Sequence, residues 1–390
     1  MVNKFIYFDH ASTSPLSKNV LSSINYASSN YWGNVSSSHN FGIECSYQLE
    51  KIRKDIATRF STISENIIFT SGSTESISLV FNKFSTIYNN GSLLISSVEH
   101  NATTLSANIL KDRGWKVNKI NVDNTGIIDI QQIHDFDSKD LKFISIIWGQ
   151  SEIGSVQPIQ QIGEIFLKED IIFHVDGTQI ISNGLFNWDE LNCDLLSFSA
   201  HKFGGPKGIG VLLCNEKSRN IIKNNDISLS HEYSIRAGTQ SIPLISGLNV
   251  ALSNITSRIQ ITSENVLFGR TKAQDIRDYL LNIIIKNNKI QITGNIKNRL
   301  PNHLSFILFN SSGKPIKSSY VINFMSDNNI AVSSGSACSK FTNIANKPLK
   351  NMGFSEELID SNIRVSFNSE NTKEEVDKFY KLILECINQF

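Results

Sequence analysis

Ser197-Phe198-Ser199-Ala200-His201-Lys202, followed at once by Phe203-Gly204-Gly205-Pro206-Lys207-Gly208-Ile209-Gly210, is the stretch on which the reading of this chain turns. An apolar run from Leu195 to Phe198 leads into the lysine, and a second run from Gly210 to Leu213 leaves the glycine-rich turn behind it. Short apolar runs bounded by turn residues read as buried strands, so Lys202 stands at a strand end. A lysine there is placed to form an imine with a carbonyl group if its surroundings lower its pKa.

Outward from this stretch the same texture repeats. Ile67 to Phe69, Ser92 to Ser96, Phe143 to Trp148 and Ile171 to Val175 are further strand-like runs, and segments of helical spacing such as Thr74 to Phe84 and Thr103 to Asp112 lie between them. The pattern predicts a βαβ array with a buried, mostly parallel sheet and helices on both faces. After about Ile255 it changes to a long polar helix pattern, SENVLFGRTKAQDIRDYLLNIIIKN at 263–287, then strand-like pieces and a closing helix near Thr372 to Asn388. Two units are expected, a large one over 1–255 and a small one over 256–390, with no Pro/Gly/Ser linker between them. The first ~15 residues are expected to pack on the small unit.

Composition narrows the function classes. With 37 basic and 36 acidic side chains the net charge is +1, so no charge field points to nucleic acid or a lipid surface. Cysteines 45, 193, 214, 338 and 386 form no C-x-x-C pair and are odd in number, which argues against a disulfide framework and a structural zinc site. Neither a leader-like apolar region nor a run of the roughly 18 apolar residues needed for a span is visible. A cytoplasmic protein is the expectation.

Two further segments join Lys202. Asp176 closes the run IIFHVD and is a candidate acid partner for a pyridine nitrogen. Phe69-Thr70-Ser71-Gly72-Ser73-Thr74-Glu75 runs from a strand through small hydroxyl residues into a helix whose first N–H groups suit a phosphate. Taken singly these are a solvated lysine, a turn aspartate and an ordinary helix cap; together they suit pyridoxal phosphate.

In order and spacing these pieces resemble the class V, fold-type I pyridoxal-phosphate enzymes, specifically the IscS/NifS-type cysteine desulfurases. The resemblance runs nearly end to end, through YFDHASTSP at 7–15, GNVSSSHNFG at 33–42, FTSGSTES at 69–76, SSVEHNA at 96–102, EIGSVQPI at 152–159, HVDGTQ at 174–179, SFSAHKFGGPKGIG at 197–210, RAGT at 236–239, SSGSACS at 333–339 and IRVSF at 363–367. It implies an α/β fold, with a seven-stranded, mostly parallel sheet in the large domain and a smaller α+β C-terminal domain. By the same resemblance Lys202 carries the cofactor, Asp176 pairs with the ring nitrogen, Gln179 meets the ring oxygen and His100 stacks on the ring. Ser73, Thr74, Ser199 and His201 are implied to bind the phosphate, with Thr239 reaching across from the second subunit of a homodimer.

Cys338 sits in a run of small residues, Ala331 to Ser339, that reads as an exposed loop, where a reactive thiol needs to be. The resemblance makes it the residue that takes sulfur from L-cysteine as a persulfide, releasing L-alanine and passing sulfur to an acceptor protein, an iron–sulfur scaffold or a relay for tRNA thiolation. Arg364, a charge inside the apolar run IRVSF, needs an anionic partner; the family reading makes that partner the substrate carboxylate. The other four cysteines read as packing residues. Selenocysteine lyase, another class V reaction, or a non-catalytic subunit of a sulfur-transfer assembly are the alternatives.

Two departures stand out. Where the family commonly has Asn-Asn-Glu, this chain has Gln150-Ser151-Glu152, and Ser151 is too short to make the second asparagine's contact with cofactor and substrate. Upstream of RAGT, SLSHEYSI at 228–235 replaces a glycine-rich run, which predicts a stiffer or differently placed loop.

Overall fold

The computed structural model describes residues 5–137, 139–167, 169–224, 231–262, 266–334 and 348–389. Its main sheet has seven strands, in the spatial order Ile67–Thr70, Gly210–Cys214, Leu195–Ser199, Ile172–Asp176, Leu141–Ile147, Ser92–Ser96 and Lys116–Ile120. Gly210–Cys214 runs antiparallel to both of its neighbours, and the other pairings are parallel. Helices cover both faces, so the central strands are buried throughout and show continuous apolar runs instead of alternation. Successive residues still part to opposite sides: Ile67 and Phe69 enter one core with Phe60, Phe186 and Trp148, while Ile68 enters the other with Phe81, Phe84 and Phe143.

Lys116–Ile120 was not foreseen, and the reason is its place at the sheet edge. Its sequence, KVNKI, is half-exposed, with Lys116 and Lys119 the exposed residues on an edge strand. A second correction concerns the helix pattern expected over 263–287. Val266–Phe268 instead pairs antiparallel with Ile259–Ile261, and the helix begins only at Lys272, where the Thr271 hydroxyl accepts from Gln274 N at 3.1 Å. Gly269 separates the two, lying where a Cβ would come 2.8 Å from the Arg258 carbonyl.

A four-stranded antiparallel sheet, in the order Ile290–Ile292, His303–Leu308, Asn362–Ser366 and Ser333–Ser334, organises a second core with the helices Lys272–Ile284, Ser318–Asp327 and Lys373–Gln389. The chain's first strand, Ile6–Tyr7, pairs with Ile330–Ala331, and Phe8 packs edge-on against Phe367 and Phe379. Ring pairs of this kind add about 0.5–1.5 kcal/mol beyond their buried area, which fixes the N-terminal segment to the second core. The strand pair Ile259–Ile261 and Val266–Phe268 packs on the first core. We therefore propose two units whose join, in packing terms, follows Phe268 and not Ile255.

The segment before Arg236 is held by a buried charge pair. Glu232, Tyr233 and Ser234 take left-handed backbone angles, φ 43°, 54° and 65°, a conformation that costs about 1–2 kcal/mol per non-glycine residue. The Glu232 carboxylate offsets this by accepting two bonds from Arg53 at 2.8 and 2.9 Å, one from Phe69 N at 2.8 Å and one from Gln240 at 2.9 Å. Arg53 is further sandwiched between the Phe69 and Tyr233 rings. Glu232→Gln is expected to lower the unfolding free energy by about 3 kcal/mol, because it removes the buried carboxylate partner and leaves the Arg53 guanidinium only the half-exposed Glu50, 3.1 Å from Nε. Adding Arg53→Met to that variant should then cost less than Arg53→Met does alone, as read from a urea-unfolding double-mutant cycle.

Candidate active site

Parallel strands deliver their C-terminal ends to one edge of a sheet, and a cavity of about 320 Å³ lies over that edge here. Its walls include Ser73 and Thr74 after the first strand, Glu99 and His100 after the second, Ser151 and Glu152, then Asp176, Thr178 and Gln179, and Ser199, His201 and Lys202. Ala11 and Ser12 from the N-terminal segment and Arg364 from the second sheet close it. Every described residue expected at the site lines this cavity except Thr239, which is exposed. Cys338 lies outside the described residues. The strand Ser333–Ser334 pairs with Ile363 and Arg364.

At one end of the cavity the helix Ser73–Ile87 starts. Its Ser73 N–H donates to Ser199 Oγ at 2.7 Å, and Gly72 (φ 154°) and Gly210 touch back to back: a Cβ on Gly210 would sit 2.6 Å from the Gly72 Cα. The helix N-terminus is thus held against the end of the strand that carries Lys202. The Thr178 hydroxyl donates to Asp176 Oδ1 at 2.5 Å and accepts from Ser73 Oγ at 2.7 Å, and Thr178 N donates to Oδ1 as well, at 3.0 Å. Both bonds to the carboxylate fall on Oδ1, which turns Oδ2 toward a partner of its own. Beneath Asp176 lies His174, clasped between Ser145 Oγ and Ser197 Oγ at 2.8 Å each.

Lys202 Nζ donates to the carbonyls of Ala11 and Ser12, both at 2.9 Å, and Gln179 donates to Ala11 O at 3.0 Å. The N-terminal turn is therefore a structural part of the site. His100 caps the helix Asn101–Asp112, its Nδ1 accepting from Ala102 N at 3.1 Å. That leaves Nε2 as its proton-bearing nitrogen. Burial lowers the His100 pKa, with Asp176 pulling it up and Lys202 pushing it down.

Arg364 is nearly buried, with 6% of its side chain exposed. It donates to Asp9 Oδ1 at 2.7 Å, to Ser12 Oγ and to the Ser151 carbonyl at 3.1 Å, while its buried Nε–H has no partner among the described residues. An anion in the cavity would complete it. Sequence reading supplied Arg364 and Ser151 but missed Asp9, Ser12, Thr178, Glu99 and Glu152, although all five stand in or beside the stretches that carried the resemblance.

The departure at 150–152 now has a geometry. Gln150 is buried and serves the turn itself, its Oε1 accepting from the N–H groups of Glu152 and Ile153 and its Nε2 donating to Val98 O at 3.3 Å. Ser151 faces the cavity with no help from Gln150. The four described cysteines are buried, and burial raises the thiol pKa of Cys193, Cys214 and Cys386, the last to about 11, so these three are packing groups and not nucleophiles.

The sequence pattern of the family described as aminotransferase class-V matches residues 6–379. The cysteine desulfurase IscS of Buchnera aphidicola subsp. Baizongia pistaciae is 34% identical over 98% of this chain and 93% of its own length. Among solved structures, a NifS-like protein superposes with a TM-score of 0.84 at 27% identity, covering 98% of this chain and 99% of its own. A second, described as SspA in complex with cysteine, superposes at 0.76 with 28% identity over 94% and 100%. The chain belongs to the class-V aminotransferase family, in its cysteine desulfurase branch. Enzymes of this family use pyridoxal phosphate, and the helix N-terminus at Ser73, the glycine cradle and the open Oδ2 of Asp176 fit that group.

Burial favours the neutral forms of both the histidines and the acids in and around the site. It lowers His10, His174 and His201 to about 4, His201 also through Lys202 and Lys207, and pushes His303 well below its ordinary value. It raises Glu99 and Glu152 to about 8. Below pH 6.5 the unfolded chain takes up protons that the folded histidines refuse, so stability falls as pH drops toward 4. Above pH 4.5 the unfolded chain has released protons that the two buried carboxyls keep, so stability falls as pH rises toward 8. With His100, which burial also lowers, five histidines outweigh two carboxyls in the overlap, and the urea midpoint of the cofactor-free protein is expected to peak near pH 6.5 and decline on both sides.

Proposed function

We propose that this cysteine desulfurase holds pyridoxal 5′-phosphate on Lys202 and takes sulfur from L-cysteine onto Cys338, yielding L-alanine and a persulfide destined for an acceptor protein. The observation that carries the reading is one cavity in which Lys202, Asp176 and a helix N-terminus meet a buried arginine. Bound there, pyridoxal phosphate supplies an electron sink for the pair left when the substrate Cα loses its proton.

The chain's own residues divide the remaining work. Asp176, held by Thr178, keeps the ring nitrogen protonated through Oδ2, and Ser73, Thr74, Ser199 and His201 hold the phosphate at the start of the helix. Gln179 meets the ring oxygen and Ser151 lines the substrate side. Arg364 takes the substrate carboxylate, for which its planar guanidinium and buried Nε–H are suited. His100 moves a proton at Nε2 and Lys202 moves one at Nζ. The Cys338 thiolate bonds to the substrate sulfur as the carbon–sulfur bond breaks, the electron pair stays on the carbon that becomes the alanine methyl group, and a proton completes it. In sum, cysteine plus a thiol gives alanine plus a persulfide.

A homodimer is part of the proposal, with Thr239 entering the second subunit's site. Tyr26, Trp32, Ile43 and Tyr47, all exposed apolar side chains, offer surface for that contact. The acceptor is proposed to be an iron–sulfur scaffold or a sulfur relay protein for tRNA thiolation. No described helix is long and apolar enough to cross a membrane.

Cys338→Ala is expected to keep the yellow cofactor spectrum and to lose transferable persulfide. Labelling by radioactive cysteine should vanish in that variant, and label on Cys45 or Cys386 instead would overturn the relay role. Ser151→Asn is expected to raise alanine formation from L-cysteine by roughly tenfold at unchanged cofactor content, since one hydrogen bond to a charged group is worth about 1.5–3 kcal/mol. A fall in rate would mean that the pocket is built around the serine.

A further inference from the structure

The turn 150–156 is held by side chains and backbone of residues 298–305. Leu300 N donates to Gly154 O at 2.8 Å, Val156 N to Asn298 O at 2.9 Å and Ser305 Oγ to Ile153 O at 3.3 Å. His303 Nε2 lies 3.0 Å from the Ser151 carbonyl, the same oxygen that accepts from Arg364 at 3.1 Å. We propose that His303, a residue outside the cavity wall, is a positioning residue that sets Arg364 for the substrate carboxylate by fixing the main-chain carbonyl of Ser151.

The tautomer follows from the neighbour on the other ring nitrogen. Arg299 Nη1 is 3.4 Å from His303 Nδ1, and a guanidinium only donates, so Nδ1 accepts and Nε2 carries the proton. A carbonyl oxygen has two lone pairs, one for His303 and one for Arg364. His303 is fully buried, and burial together with Arg299 and Arg364 holds it neutral. The fit is close: at Gly154 (φ +77°) a Cβ would stand 2.4 Å from His303 Nδ1, so turn and imidazole interlock. Without the His303 bond the Ser151 carbonyl turns away more readily, and Arg364 keeps Asp9 and Ser12 but loses the contact that aims it from the side of the cavity. Because the group that orients Arg364 at this position is backbone, the change of side chain at Ser151 leaves that contact in place.

This proposal rests on Arg364 binding the carboxylate, as read above, and the experiment separates the two. Holoenzymes of wild type, His303→Leu and His303→Gln are compared for KM and kcat with L-cysteine and for spectrally measured dissociation constants of L-cysteine and cysteamine, which lacks the carboxylate. His303→Leu is expected to raise KM and Kd for L-cysteine roughly five- to tenfold, with kcat and the cysteamine Kd changed less than about twofold. His303→Gln, whose amide nitrogen reaches the Nε2 position, should restore L-cysteine binding. Equal weakening of both ligands, no weakening, or a glutamine variant that behaves as leucine does would overturn the positioning role. Should His303→Leu fail to retain cofactor, His303→Asn replaces it: its shorter amide must weaken L-cysteine alone while His303→Gln binds normally, and any other outcome overturns the role. Wild-type enzyme that binds cysteamine as tightly as L-cysteine would sink the carboxylate role of Arg364 first, and the positioning role with it.

Discussion

Parallel strand direction is the constraint on which the site depends. Six strands of the main sheet point the same way, so Thr70, Ser96, Ile147, Asp176 and Ser199, spread over 130 residues of sequence, end at one edge. The single reversed strand, Gly210–Cys214, matters as much. It must start at that same edge, which forces residues 200–209, including Lys202, to turn over the strand ends. The close approach of Gly210 to Gly72 then sets the distance between the lysine's strand and the helix N-terminus. Neither element positions the cofactor site without the other.

The other wall comes from the second core, and what joins the walls is charge. A buried arginine is tolerable only if its donors are met, and Arg364 finds Asp9 and Ser12 on the N-terminal segment and Ser151 on the first unit. Asp9 can be there because Phe8 is packed between Phe367 and Phe379. Lys202 meanwhile donates to the next carbonyls along, Ala11 and Ser12. One short turn, residues 9–12, thus accepts from both Arg364 and Lys202, and it couples the segment that follows Leu195–Ser199 to the sheet that carries Arg364.

Much of this was legible in the sequence because it rests on burial and local order. The central strands showed themselves as apolar runs, since both faces are covered, and Lys202, Asp176 and the Ser73 helix start were visible as strand ends with functional residue types. The edge strand Lys116–Ile120 was hidden because half-exposed strands lose that signature. Val266–Phe268 was absorbed into a helix pattern since three apolar residues fit either period, and only the glycine and the Thr271 cap mark the change. Contacts that span the whole chain carried no local signal: Asp9 meets Arg364 across 355 positions, and Ser151 meets His303 across 152.

Glu99 and Glu152 illustrate the harder limit. Each follows a strand and reads as an ordinary surface or cap acid, yet burial raises both to about 8. Glu99 is stitched to Ser96 and to Ile147 N at the floor of the cavity, between two strands that a sequence pattern cannot place side by side. Glu152 lies near Arg364, whose charge draws its pKa back down without cancelling the effect of burial. On the proposed reading, a cavity that takes a phosphate and a substrate carboxylate gains from carboxyls whose burial favours the neutral form, because each neutral acid spares the bound anions one repulsion. The same burial that costs stability at high pH thereby lessens the negative charge at the pocket, and Asp176 is, on that reading, the acid that answers a ring nitrogen.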